Sequence, residues 1–133
     1  MKYMLDTNIC IYLIKKKPVL VLNHLQQLDI SEVGISSITL GELEYGVEKS
    51  LFKEQNKIAL AKFTAPLEIL PYDNLAAATY GKVRATLEKK GTPIGALDIL
   101  IAAHAISLNI ILVTNNEKEF RKIPSLKIEN WVK

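Results

Sequence analysis

The chain has 133 residues, 49% of them hydrophobic and 23% charged, with six Gly and five Pro scattered singly. A chain of that size buries roughly two thirds of its unfolded surface in one core, and this composition excludes disorder, low-complexity linkers and a repeat array, so a single domain over 1–133 is expected. Seventeen Lys and Arg against 14 Asp and Glu give a formal charge of +3, a mild excess that favours a polyanionic partner once several acids are committed to one place.

In chain order, the first element is an apolar run, Tyr3 to Leu5, closed by Asp6. Helical periodicity follows over Thr7 to Ile14 and Val19 to Leu28. The single cysteine, Cys10, lies between Ile9 and Ile11 and reads as a small buried hydrophobe. Val33 to Ser36 is a second strand and Ser37 to Lys49 a helix. A polar helical stretch covers Lys53 to Thr64, before a third strand at Leu67 to Leu70. Helices over Asn74 to Lys89 and Ala96 to Leu108 precede a fourth strand, Ile110 to Val113. Leu126 to Trp131 reads as an edge strand or closing turn after Pro124. No stretch approaches the roughly 18 uninterrupted apolar residues of a membrane span, and a soluble, cytoplasmic protein is expected. Alternating strands and helices predict an α/β fold with a mostly parallel sheet of four to five strands flanked by helices.

Four carboxylates sit where isolated acids are least comfortable. Asp6 ends the first strand, Glu42 follows Thr39 and Gly41 on a helix, Asp98 lies in the first turn of an almost wholly apolar helix, and Glu119 precedes Phe120. Removing an unpaired carboxylate from water costs several kcal/mol, on the order of a domain's stability. Taken singly, each has an ordinary alternative: Asp6 as a helix N-cap, Asp98 as a favourable first-turn charge, Glu42 and Glu119 as solvated acids. Taken together they would repel one another unless a cation neutralised them. Oxygen ligands without a Cys or His cluster point to Mg²⁺ or Mn²⁺ rather than zinc. In parallel sheets ligands collect at the carboxyl ends of strands, where both Asp6 and Thr114-Asn115-Asn116 fall. His24 and His104 lack the spaced partners of a zinc site or a Cys-His dyad and read as packing or surface residues.

The segments Met4-Leu5-Asp6-Thr7-Asn8, Ile35-Ser36-Ser37-Ile38-Thr39-Leu40-Gly41-Glu42-Leu43, Gly91-Thr92-Pro93-Ile94-Gly95-Ala96-Leu97-Asp98 and Val113-Thr114-Asn115-Asn116-Glu117-Lys118-Glu119-Phe120 carry a specific resemblance. The chain resembles VapC-type toxins of the PIN-domain ribonucleases, nearly end to end and with the motifs in that family's order and spacing. The resemblance implies a PIN-like α/β domain, a Mg²⁺ or Mn²⁺ cofactor and endonucleolytic cleavage of RNA, with transfer RNA ranked first among structured targets. It further implies a cognate VapB-type antitoxin that holds the toxin inactive, and a homodimer.

By motif position, Asp6 and Asp98 look like the metal ligands, Glu42 like the third acid and Glu119 like the fourth. Many family members have Asp in the last motif, and Asn115 and Asn116 compete with Glu119 for a role there. Thr7, Asn8, Thr114 and Asn115 are short polar groups beside the acids, suited either to orienting carboxylates or to turn and cap chemistry. Among the basic groups, Lys89, Lys90 and Arg121 lie nearest the acidic motifs in sequence and are the candidates for RNA contact.

Two other acid-site families fit less well. Haloacid-dehalogenase-like phosphatases need a second Asp where this chain has Asn8, and response-regulator receivers match only partly at Pro71-Tyr72-Asp73. A non-catalytic, metal-stabilised PIN-like module acting through partner binding is the alternative from a different functional class.

Overall fold

Strand β1 (Tyr3–Leu5) is the centre of the sheet, because its three residues are buried on both faces and it pairs with a strand on each side. The computed structural model describes residues 1–133. In chain order the elements are β1, α1 (Thr7–Lys15), α2 (Val19–Gln26), a single 3₁₀ turn (Ile30–Glu32), β2 (Val33–Ser36), α3 (Ser37–Glu48) and α4 (Lys53–Thr64). They continue with β3 (Glu68–Leu70), α5 (Asn74–Lys89), α6 (Ala96–Leu108), β4 (Ile111–Val113), α7 (Glu117–Phe120) and β5 (Ile128–Glu129). All four strand pairings are parallel, in the order β3-β2-β1-β4-β5.

Each parallel step needs a crossover, and the helices supply it. The two-residue alternation of β1 divides the core: Tyr3 and Leu5 pack on one face with Ile9, Leu13, Val33, Ile35, Leu43, Val47 and Leu60, so α1, α3 and α4 lie there. Met4 points to the other face with Leu87, Ile99, Ile101, Ala102, Leu112 and Phe120, placing α5, α6 and α7 opposite. Helix α6, apolar on almost every side, is buried as its sequence predicts, with Ala102, Ala103 and Ala105 fully enclosed.

The chain winds outward from β1 to β3, then returns to the other side of β1 as β4. That reversal opens a crevice at the carboxyl ends of β1 and β4, where Leu5 pairs with Val113. The sequence reading is accurate on the strands and long helices to within two residues, but it lacks the 3₁₀ turn and α7. The last segment forms an edge strand, β5, paired to β4. Trp131 beyond it is buried, stacked at 4.4 Å on His24 and edge-on at 5.6 Å to Tyr3.

Two glycines give opposite expectations. A Cβ on Gly34 in β2 would stand 2.9 Å from the Glu68 carbonyl oxygen, whereas one on Gly81 in α5 meets nothing within 4 Å. Gly34→Ala should cost about 1–3 kcal/mol by overpacking, and Gly81→Ala should gain about 0.5–1 kcal/mol of helix stability, both read by urea unfolding.

Candidate active site

Asp6 is the first residue beyond β1, and its backbone N–H donates to the Val113 carbonyl at 3.0 Å, fixing it against β4. Its Oδ1 accepts from Ile9 N–H at 2.9 Å, capping α1. The capping and functional readings of Asp6 are therefore compatible, since the cap uses only one of its two oxygens. With only 6% of its surface exposed, burial pushes the carboxyl up to about 6. The Thr114 hydroxyl and the Ile9 N–H oppose that rise, and the charges of Asp98 and Glu42 add to it.

Asp98 is likewise raised, first by burial and then by the charges of Glu42 and Glu119. The four acids of the sequence reading, spread over 114 positions by number, thus share one field. Glu42 reaches the site from α3, where the Thr7 hydroxyl of α1 donates to its Oε1 at 2.6 Å. Glu119, on α7, is held by Lys122 Nζ at 3.2 Å, with both side chains one-third exposed at 33%.

Of the neighbouring polar groups, Thr7 and Thr114 act on the acids directly. Thr114 Oγ1 also accepts from Asn116 N–H at 2.9 Å, which turns the chain into α7. Asn8 is exposed. Asn115 donates to the Tyr12 hydroxyl at 3.5 Å and accepts from Asn130 at 3.1 Å. Of the three basic candidates, Lys89 and Lys90 are exposed where α5 ends, and Arg121 is exposed but paired with Glu117 at 2.7 Å. Glu117 is held down to about 2, chiefly by Lys133 and Asn130.

No three acidic, histidine or cysteine side chains already close into a cage around one ion. Mg²⁺ takes only one or two protein carboxylates, completing its octahedron with water and substrate phosphate. The donor set of hard oxygens around a buried, uncompensated Asp6 fits such an ion.

The sequence reading assigned His104 only to packing or surface, and the structure gives it more to do. It is 1% exposed on α6, with Nδ1 2.8 Å from Ser36 Oγ. Ser36 caps α3 by accepting from Ile38 N–H, so its own proton is free for the imidazole. Burial lowers the His104 pKa and keeps the ring neutral, and Tyr72 packs edge-on at 5.0 Å. A single buried contact thus ties the helix of Asp98 to the start of the helix of Glu42. Ser36 and His104 are 68 positions apart, and nothing in the local pattern pairs them. Thr39, one turn before Glu42, has a buried hydroxyl without a hydrogen-bond partner.

Residues 3–126 match the family model described as PIN domain, which sets the class. The chain is 49% identical to the tRNA(fMet)-specific endonuclease VapC of Salmonella typhimurium, over 98% of each chain. It is 52% identical to ribonuclease VapC2 of Rickettsia felis, over the full length of both. The solved structure of DNA-bound VapBC from Salmonella typhimurium superposes with a TM-score of 0.94 at 48% identity, covering 98% of each chain. The chain belongs to the PIN-domain family, among its VapC ribonucleases.

Asp6→Asn keeps the cap and removes the charge. A carboxyl whose folded pKa lies above its unfolded value weakens the fold as pH rises through about 6. In EDTA at pH 8 the variant should therefore be more stable than the parent by about 1–3 kcal/mol. The gain should vanish at about pH 3, below the unfolded value of 3.8, where both side chains are neutral; urea titrations at the two pH values check it.

Proposed function

We propose that this single domain, residues 1–133, is the toxin of a toxin–antitoxin pair, a metal-dependent endoribonuclease that cuts a structured RNA and is held inactive by a VapB-type antitoxin. The carrying observation is the mutual coupling of Asp6, Glu42, Asp98 and Glu119 at the switch point of the sheet. Asp6 and Asp98 would hold Mg²⁺ or Mn²⁺. When bound, the ion supplies charge stabilisation on the phosphoryl group and a water of lowered pKa.

The chain's own residues do the rest. Glu42, oriented by Thr7, and Glu119, steadied by Lys122, flank Asp98 as the groups that align the attacking water and take its proton. In-line attack then leaves a 5′-phosphate and a 3′-hydroxyl. The buried Ser36–His104 contact keeps the two acid-bearing helices in register, which matters because small misplacements cost rate steeply. Initiator transfer RNA is the substrate we favour, supported by the specificity in the name of the Salmonella relative.

An antitoxin has a place to dock. An apolar groove of about 280 Å³ runs between α1, α3 and α4, lined by Ile11, Ile14, Leu43, Val47 and Leu60, with Glu42 at its edge. Leu51 and Phe52 beside α4 are 95% and 66% exposed, and an apolar patch of this kind marks a partner surface. The VapBC complexes among the structural relatives support that partner, and we take a homodimer as the acting unit.

Antitoxin-free protein incubated with bacterial transfer RNA and Mg²⁺ should give discrete cuts, mapped by sequencing of the ends. EDTA should abolish them, and Asp98→Asn should slow cleavage by about 10³-fold or more, the scale of losing a main charge-stabilising group. Uncut RNA under all conditions would leave a binding module as the better account. For the groove, Gly46→Trp places a ring where a Cβ meets nothing within 4 Å, and calorimetry should show antitoxin affinity falling by about tenfold or more, one blocked anchor's worth.

A further inference from the structure

On the far side of α7 from Asp98 the chain builds a second, oppositely charged compartment. Glu119 lies in the field of Asp98, while Glu117, two residues earlier, accepts from Lys133 at 2.7 Å, Arg121 at 2.7 Å and Asn130 at 2.9 Å. These groups line a hollow of about 510 Å³ with Asn115, Asn116 and Lys118, and none of its lining residues is hydrophobic. We infer that this hollow binds a backbone phosphate of the RNA substrate, a few nucleotides from the bond that is cut. The inference rests on the nuclease reading above and assigns the RNA path across the rim.

The hollow is held in shape from several sides. Asn130 donates to both Asn115 and Glu117, while its own oxygen accepts from Val132 N–H at 2.9 Å. Trp131 between them is 1% exposed and donates from Nε1 to Glu129 at 3.0 Å. Lys133 therefore stands on an anchored segment. Three cations against one carboxylate leave the hollow at +2, counting Lys118, Arg121 and Lys133 against Glu117.

Donors remain for a ligand. Arg121 uses one guanidinium nitrogen on Glu117 and Lys133 one of its three protons, while Lys118 forms no ion pair. The convergence of these groups on a carboxylate is itself informative, because carboxylate and phosphate oxygens are recognised by the same donors. Asn115 and Asn116 directly follow Thr114, which contacts Asp6, so the hollow continues the acidic rim. A helix with its side chains is about 10 Å across. At about 3.4 Å of rise per nucleotide, that separates the two compartments by about three nucleotides.

The test measures binding and cleavage of one 5′-fluorescein-labelled transfer RNA. Lys118→Gln, Arg121→Gln and Lys133→Gln are combined, and Lys127→Gln serves as control. Lys127 pairs with Asn109 beside the amino ends of β4 and β5, on the opposite rim. Binding is read by anisotropy in the Asp98→Asn background, and turnover with Asp98 intact. We expect the triple variant to raise Kd and KM about tenfold with kcat little changed, and to lower the slope of log K against log salt by about one, as for one lost phosphate contact. The charge-preserving pair Arg121→Lys and Lys133→Arg should restore most of that affinity, which a folding fault would not allow. A triple variant that binds like the Lys127→Gln control, with an unchanged salt slope, would overturn the inference. A parent protein that binds the RNA through this hollow but never cuts it would overturn the nuclease reading and leave the phosphate site standing.

Discussion

Burial of a carboxylate at the end of one strand, with other acids beside it, is the constraint on which this structure turns. Asp6 is nearly enclosed, close enough to Asp98 and Glu42 to feel both, and its carboxyl rises to about 6. A fold selected for stability alone has no use for that arrangement, because an apolar or singly capped residue would fit there at lower cost. A hard cation would relieve that cost.

The support is distributed over elements far apart in the chain. The sheet register joins Asp6 to β4, a side-chain bond from Thr7 orients Glu42, and the Ser36–His104 contact connects the helices of Glu42 and Asp98. Each support is short, mostly buried and polar, so each has one good geometry and a penalty for leaving it. The same logic extends past α7, where Asn130 bonds Asn115 and Glu117 at the start of the helix that carries Glu119, beside the buried Trp131. Acidic rim and basic hollow share one short helix, carrying Glu119 and Glu117, as their wall.

Much of this is legible in the sequence alone. Strands such as Val33 to Ser36 announce themselves as short β-branched runs, and helix α6 as an apolar stretch too long for a strand. The acids were conspicuous for the same reason that they matter: carboxylates in apolar surroundings contradict the pattern around them. What stayed hidden depends on pairing across distance. Nothing near His104 names Ser36 as its partner, and nothing near Asn115 names Tyr12 or Asn130. α7 is a single turn, too short for periodicity to show. Glu119 stands out by its motif position, whereas the bases that gather on Glu117 come from Arg121 and the distant Lys133 and show only in the fold.

The central proposal is that a divalent cation completes the acidic rim. The most direct measurement is calorimetric titration of the isolated protein with Mn²⁺ at pH 6 and pH 8, each in two buffers of different ionisation enthalpy. With a free Asp6 carboxyl titrating near 6, binding at pH 6 should release about half a proton and at pH 8 almost none, because the ligand must be ionised. Saturable binding with that difference, lost in Asp6→Asn, is the predicted result. Absence of saturable binding, or binding with the same proton release at both pH values and intact in Asp6→Asn, would contradict the account.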